Sequence, residues 1–95
     1  MISNINIKDL INNNYQNIID IRSIENYNNN HIPGAINIPF EKIITSPEKY
    51  LNKNTMYYLY CRSGITSRKV CEILKNNGYK VTNILGGYEE WLLTK

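Results

Sequence analysis

The stretch from Thr55 to Lys75 constrains the fold more than any other part of the chain. Its apolar run from Met56 to Tyr60 is typical of a buried strand and leads into Cys61, and Thr66 to Asn76 has the apolar spacing of a helix. A short polar loop separates the two. A strand that turns directly into a helix leaves the first helical N–H groups without acceptors, at the positive end of the helix dipole. The sequence therefore predicts an anion-binding cradle with a cysteine at its mouth.

Cys61 is the candidate nucleophile of this cradle. The thiolate is the reactive form of cysteine, and helix N-termini and nearby arginines stabilise it; Arg62 and Arg68 both follow within a turn or two. Gly64 suits a loop whose N–H groups converge, because such loops need backbone angles that other residues avoid. A cysteine at a strand end is often only a small buried hydrophobe. The Arg-Ser-Gly sequence directly after it favours nucleophilic chemistry on an anionic substrate instead.

The rest of the chain alternates short strands with helices. Strand patterns occur at 2–5, 15–21, 35–38, 55–60 and 81–85, and helical patterns at 7–13, 24–27, 40–44, 47–51, 66–76 and 88–93. This alternation predicts an α/β fold, one three-layer α/β/α domain over residues 1–95 with a central, mostly parallel sheet of about five strands. Ligands of such sheets bind beyond the carboxyl ends of the strands, and Cys61 falls there.

Length, charge and cysteine count exclude several other classes of protein. Ninety-five residues suffice for one domain with one core, and a net charge of +3 from scattered basic residues predicts no nucleic-acid partner. Two cysteines ten residues apart do not form a secreted disulfide framework, and the single histidine cannot complete a zinc site with them. No signal-peptide pattern or membrane-length apolar run is present. We therefore expect a cytoplasmic protein without a membrane partner, in which a thiolate stays reduced.

The loop resembles the active-site loop of the rhodanese-like sulfurtransferases, Cys-Arg-x-Gly-x-(Arg or Thr)-Ser, in the run Cys61-Arg62-Ser63-Gly64-Ile65-Thr66-Ser67. Flanking blocks follow the family's order: IDIR at 19–22, HIPGAINIP at 31–39 and LGGY at 85–88. The resemblance implies a rhodanese-like fold and transfer of sulfane sulfur through a persulfide on Cys61. It further implies a small-molecule sulfur donor such as thiosulfate, a thiol or cyanide acceptor, and no metal or organic cofactor. Residues 62–67 then bind the substrate, supported by Asp20, Arg22 and Arg68.

Four other residues have competing interpretations. Asp20 is either a carboxylate that holds the cradle backbone or half of an ion pair that braces the sheet edge, and for Arg22 the ion pair is favoured over a contribution of positive potential. His31 lies in a His-x-Pro-Gly turn, which is more typical of a structural role than of a general base. Cys71 lies inside the predicted helix and is interpreted as a core residue rather than a resolving thiol.

Thr66 matches the loop found in thiosulfate-type members of the family, but Ser63 does not, because that loop carries Lys at the position of Ser63. The chain therefore offers one cation fewer to a dianionic sulfur donor.

The main alternative to a sulfurtransferase enzyme is a sulfur-relay carrier that delivers persulfide sulfur to a partner protein. A cysteine-loop phosphatase is disfavoured, because it needs Arg after five intervening residues, where this chain has Ser67 and then Arg68. A non-catalytic binding module is disfavoured because Cys61 is retained.

Overall fold

The computed structural model describes residues 2–95. Its strands are β1 (Ser3–Ile5), β2 (Ile18–Asp20), β3 (Ile36–Asn37), β4 (Met56–Tyr60) and β5 (Lys80–Ile84). Its helices are α1 (Ile7–Asn12), α2 (Ile24–Asn29), α3 (Phe40–Thr45), α4 (Ile65–Asn76) and α5 (Gly87–Leu92), and a 3-10 turn covers Pro47–Lys49. No helix within these residues is long and apolar enough to cross a membrane.

The five strands form one sheet in the order β1-β5-β4-β2-β3. Every neighbouring pair is parallel, so the predicted α/β fold is confirmed, and the sheet of residues 2–95 is parallel throughout. β4 is the central strand, and the register places Asp20 of β2 beside Tyr60 of β4. The carboxyl ends of β2 and β4 therefore meet at one edge of the sheet, where Cys61 follows β4.

The element boundaries differ from the predicted ones by a few residues, for local reasons. α4 begins at Ile65 rather than Thr66, because Gly64 takes a left-handed conformation and ends the loop one residue earlier. β3 keeps only two of the four predicted residues, since it lies at the sheet edge and Pro39, which lacks an N–H group, follows soon after it. Ser23 caps α2, its Oγ accepting a hydrogen bond from the Asn26 N–H at 3.3 Å.

Two apolar cores cover the two faces of the sheet, because successive strand residues point to opposite faces. One core packs α3 and α4 on one face and includes Ile19, Leu59, Val81, Val70, Cys71 and Leu74. The other packs α1 and α5 on the opposite face and includes Ile18, Tyr60, Ile84, Leu10 and Trp91. Each fully buried Ile or Leu contributes about 1.5–3 kcal/mol. These cores pack both faces of the sheet, and Trp91 anchors the last helix to it.

Candidate active site

Cys61 lies at the floor of the loop between β4 and α4. Its Sγ accepts hydrogen bonds from the backbone N–H groups of Gly64, at 3.2 Å, and Ser67, at 3.3 Å. The side chain is 6% exposed. Two converging N–H groups and the positive end of α4 favour negative charge at this position. The loop therefore has the form of the cradle expected from the sequence.

The backbone of Gly64 makes this convergence possible. Its φ is +98°, and a Cβ built there would lie 3.1 Å from the backbone N of Gly86. Both the left-handed angle and the tight contact exclude an ordinary side chain. Glycine at this position is therefore required for the sulfur to receive its two N–H groups.

The six residues predicted to bind the substrate divide into two groups. Gly64 and Ser67 are buried and contact the sulfur, whereas Arg62, Ser63, Ile65 and Thr66 have exposed side chains. The exposed group lines the rim of the loop, and Ile65 is 67% exposed. The structure thus brings together the backbone of the cradle and leaves four of the six side chains exposed at its rim.

The N-terminus of α5 braces the start of the loop. The Tyr88 N–H donates to the Cys61 carbonyl at 2.9 Å, and the Glu89 N–H donates to the Arg62 carbonyl at 3.0 Å. A Cβ on Gly87 would overlap the Cys61 carbonyl oxygen, so this close approach requires glycine. The docking of α5 onto the cysteine loop was not predicted from the sequence.

Both arginines near the cradle are paired with acidic side chains. The Arg62 Nε lies 3.0 Å from Glu89 Oε2, and the Arg68 Nε lies 3.7 Å from Glu72 Oε1. All four side chains are more than half exposed, so each pair stabilises the fold little. The pairs instead change the local charge, because each carboxylate offsets an arginine that was expected to bind or support an anionic substrate.

Asp20 and Arg22 form a buried ion pair next to the cysteine loop. Arg22 Nη2 lies 2.7 Å from Asp20 Oδ2, Arg22 Nε also donates to the carboxylate, and the guanidinium stacks over the Tyr88 ring at 4.1 Å. Tyr60 donates its hydroxyl hydrogen to Asp20 at 2.7 Å. Within residues 2–95 these contacts support the bracing interpretation of Asp20 and do not include the cradle backbone.

The same ion pair perturbs the titration of its neighbours. Burial opposes the charge of Arg22, but its hydrogen bonds and charge interaction with Asp20 outweigh that cost and raise its pKa. Burial and the bond to Asp20 raise the pKa of Tyr60, so its hydroxyl remains a hydrogen-bond donor at neutral pH. The network is therefore a fixed structural support at the edge of the site.

The contacts of His31 and Cys71 indicate structural roles for both residues. His31 Nδ1 lies 2.8 Å from the Tyr27 carbonyl oxygen, and its ring stacks on the Tyr27 ring at 3.8 Å. Cys71 is fully buried, and burial, with a smaller effect of Cys61, raises its pKa to about 12. It is a neutral thiol at pH 7. Among residues 2–95 no group of three or more His, Cys, Asp and Glu side chains is arranged to hold a metal ion.

One buried polar chain behind the sulfur was not identified from the sequence. The Ser67 Oγ lies 3.3 Å from Cys61 Sγ and donates to Asn83 Oδ1 at 2.6 Å, and Asn83 Nδ2 donates to Asn4 Oδ1 at 3.2 Å. Ser67 is fully buried and Asn83 is 2% exposed. The one signal in the sequence is that Asn83 shares a strand face with the apolar Val81, two residues earlier.

The class of this protein is defined by its cysteine loop. The loop joins the central strand of a parallel sheet to a helix N-terminus, and backbone N–H groups hold its sulfur. The chain belongs to the rhodanese-like domain family, whose family model matches residues 4–94.

Individual relatives agree with this assignment. The putative sulfur carrier protein YrkF of Bacillus subtilis is 37% identical over 76 residues, which cover 79% of this chain and only 40% of that longer relative. The thiosulfate sulfurtransferase GlpE of Coxiella burnetii is 33% identical over 75 residues, covering 78% of this chain and 69% of GlpE. The crystal structure of a rhodanese-like domain protein from Staphylococcus aureus superposes with a TM-score of 0.87 at 33% identity, covering 95% of this chain and 91% of that one.

Proposed function

We propose that this chain is a sulfurtransferase that carries sulfane sulfur as a persulfide on Cys61. The Cys61 thiolate attacks the outer sulfur of a donor such as thiosulfate, the sulfur–sulfur bond of the donor breaks, and sulfite leaves with the bonding electron pair. An acceptor nucleophile, a thiolate or cyanide, then attacks the terminal sulfur of the persulfide. Cys61 leaves as the thiolate, which restores the starting state.

The observation that carries this proposal is the pair of N–H groups directed at Cys61 Sγ, from Gly64 and Ser67. A cradle that receives a negative sulfur also suits the terminal sulfur of a persulfide anion, as an oxyanion hole suits a developing oxyanion. The relative named a thiosulfate sulfurtransferase supports thiosulfate as a sulfur donor. Phosphate chemistry is not supported, because Arg68 is 67% exposed at its side chain and is paired with Glu72.

A sulfur-relay role is the second candidate, and the surface beside the loop favours it. A groove of about 430 Å³ lies there and is lined in part by Ile65 and Leu85, which are 67% and 47% exposed. Exposed apolar side chains beside arginines that are already paired with Glu89 and Glu72 suit a protein acceptor better than a small anion. One relative is named a putative sulfur carrier. In this case the acceptor thiol belongs to a partner protein.

Intact mass spectrometry after incubation with thiosulfate tests the chemistry. We expect a gain of one sulfur, about 32 Da, which cyanide removes. Cys61→Ser should show no gain, because a hydroxyl is a far weaker nucleophile at neutral pH, whereas the matched variant Cys71→Ser should load normally. Loading of Cys61→Ser would refute Cys61 as the sulfur carrier. No loading of the unsubstituted protein from thiosulfate, polysulfide or a persulfide donor would refute sulfur transfer altogether.

The rate of unloading distinguishes the two candidates. A free enzyme should pass its sulfur to cyanide or dithiothreitol as fast as it loads. A relay subunit should keep its persulfide in the presence of small thiols and release it to a protein thiol. Slow release to every acceptor would contradict both candidates.

A further inference from the structure

We infer that Asn83 is a positioning residue for Cys61, and that its amide sets the direction of the Ser67 hydroxyl hydrogen and thereby the ease of forming the Cys61 thiolate. Asn83 does not touch the sulfur. It acts through Ser67, whose Oγ lies 3.3 Å from Cys61 Sγ on one side and 2.6 Å from Asn83 Oδ1 on the other.

Distance assigns the hydrogen between Ser67 and Asn83. A separation of 2.6 Å is usual for O–H···O and short for N–H···O, and a carbonyl oxygen cannot donate. The Ser67 hydroxyl therefore donates to Asn83 Oδ1. Its lone pairs face the sulfur, so the Cys61 thiol donates to Ser67 in turn. This arrangement fits the neutral thiol.

The thiolate requires the opposite arrangement. Once the thiol proton has passed to water, the sulfur can only accept, and the Ser67 hydroxyl hydrogen stabilises it best by turning toward it. Asn83 Oδ1, which is buried, would then lack its hydrogen-bond donor, and an unsatisfied buried acceptor is unfavourable. Rotation of the Asn83 amide removes this problem, because Nδ2 then donates to Ser67 Oγ once the two atoms move apart by a few tenths of an ångström to an N–H···O distance.

Asn4 allows this rotation. In the thiol arrangement Asn83 Nδ2 donates to Asn4 Oδ1 at 3.2 Å. The two residues are register partners on β1 and β5, and Asn4 is exposed. Because Asn4 is exposed, its amide can rotate in solvent, so that Asn4 Nδ2 donates to Asn83 Oδ1 when Asn83 turns. The chain of four side chains is therefore satisfied in both protonation states of Cys61, which explains an amide in an otherwise apolar strand face.

Two substitutions at position 83 should have opposite effects, measured as the rate of Cys61 alkylation by iodoacetamide across the pH range. In Asn83→Asp the carboxylate can only accept, so it holds the Ser67 hydroxyl hydrogen away from the sulfur and adds a like charge. We expect alkylation at pH 7 to slow by about tenfold or more, with a higher pH midpoint. In Asn83→Leu, which keeps the branched shape of the side chain but has no hydrogen-bonding group, the sulfur becomes the acceptor for Ser67. We expect alkylation about threefold faster and a lower midpoint.

Ser67→Ala tests whether Asn83 acts on Cys61 through the Ser67 hydroxyl. In that background Asn83→Leu should leave the alkylation profile unchanged. Every variant keeps the other ionisable groups around the cradle. These are the pairs Arg62–Glu89, Arg68–Glu72 and Arg22–Asp20 and the thiol of Cys71. Peptide mass mapping confirms that the alkylated residue is Cys61, and far-UV circular dichroism confirms the fold.

Shifts of Asn83→Asp and Asn83→Leu in the same direction, an unchanged Asn83→Leu profile, or an effect that persists in Ser67→Ala would each overturn the inference. A purely structural role predicts loss of stability in both variants without opposite midpoints. If Asn83→Asp fails to fold, Asn83→Leu with and without Ser67→Ala decides the question. The consequence for sulfur transfer rests on the proposed function, but alkylation needs no sulfur donor, so the two ideas can fail separately.

Discussion

Replacing Glu89 by Gln is expected to raise kcat/KM for thiosulfate about three- to tenfold. In the structure Glu89 Oε2 lies 3.0 Å from Arg62 Nε, so the cation next to Cys61 is offset before any anionic sulfur donor arrives. Glutamine keeps the size of the side chain and the backbone N–H bond to the Arg62 carbonyl. The substitution therefore changes the charge of the rim while leaving the loop in place.

The magnitude follows from the charge removed. Two unit charges about 6 Å apart in water interact by ~0.7 kcal/mol, so a dianion gains about 1.4 kcal/mol, or tenfold, when Glu89 is neutralised. At physiological salt the Debye length is about 8 Å, which roughly halves this gain and leaves about threefold. The increase should therefore be largest at low ionic strength.

The assay is steady-state sulfur transfer from thiosulfate to cyanide at several salt concentrations. Glu48→Gln is the matched control, because it removes the same charge from the segment before β4, at the opposite edge of the sheet from Cys61. An uncharged sulfur donor should show no gain with either variant. The hypothesis is that Glu89 limits kcat/KM for thiosulfate because it offsets the charge of Arg62. An unchanged kcat/KM in Glu89→Gln, or an equal rise in Glu48→Gln, would refute it.

Three further predictions concern other positions. Ser63→Lys should raise kcat/KM for thiosulfate about five- to thirtyfold, with a gain that shrinks as salt is added; a flat response would place sulfur-donor selection elsewhere. Cys71→Ser should keep its activity and lose about 1–3 kcal/mol of stability in urea unfolding, because it buries a hydroxyl; loss of turnover with an intact fold would make Cys71 a resolving thiol. Arg22→Met should lower the free energy of unfolding by about 3–5 kcal/mol, since it leaves the buried Asp20 carboxylate without its cation; a loss below about 1 kcal/mol would show that Tyr60 and backbone donors suffice.

The sequence alone determined the features that depend on neighbouring residues. The apolar run before Cys61, the glycine three residues after it and the apolar spacing of the following helix are all local, and each local pattern specifies one backbone conformation. The alternation of strands and helices likewise allows few arrangements other than a parallel sheet. Cys61, Gly64 and the cradle were therefore predictable, as was the burial of Cys71.

Only the tertiary structure decided which side chains meet at the loop. Glu89 reaches Arg62, and Asn83 reaches Ser67, across separations of 27 and 16 residues. Both contacts depend on β5 lying beside β4, and the contact of Glu89 with Arg62 depends also on the angle at which α5 returns to the sheet. The hydrophobic period of a strand specifies which face is buried but not which strand lies next to it. Charge offset at the rim and hydrogen bonding behind the sulfur are consequences of strand order, which no local pattern encodes.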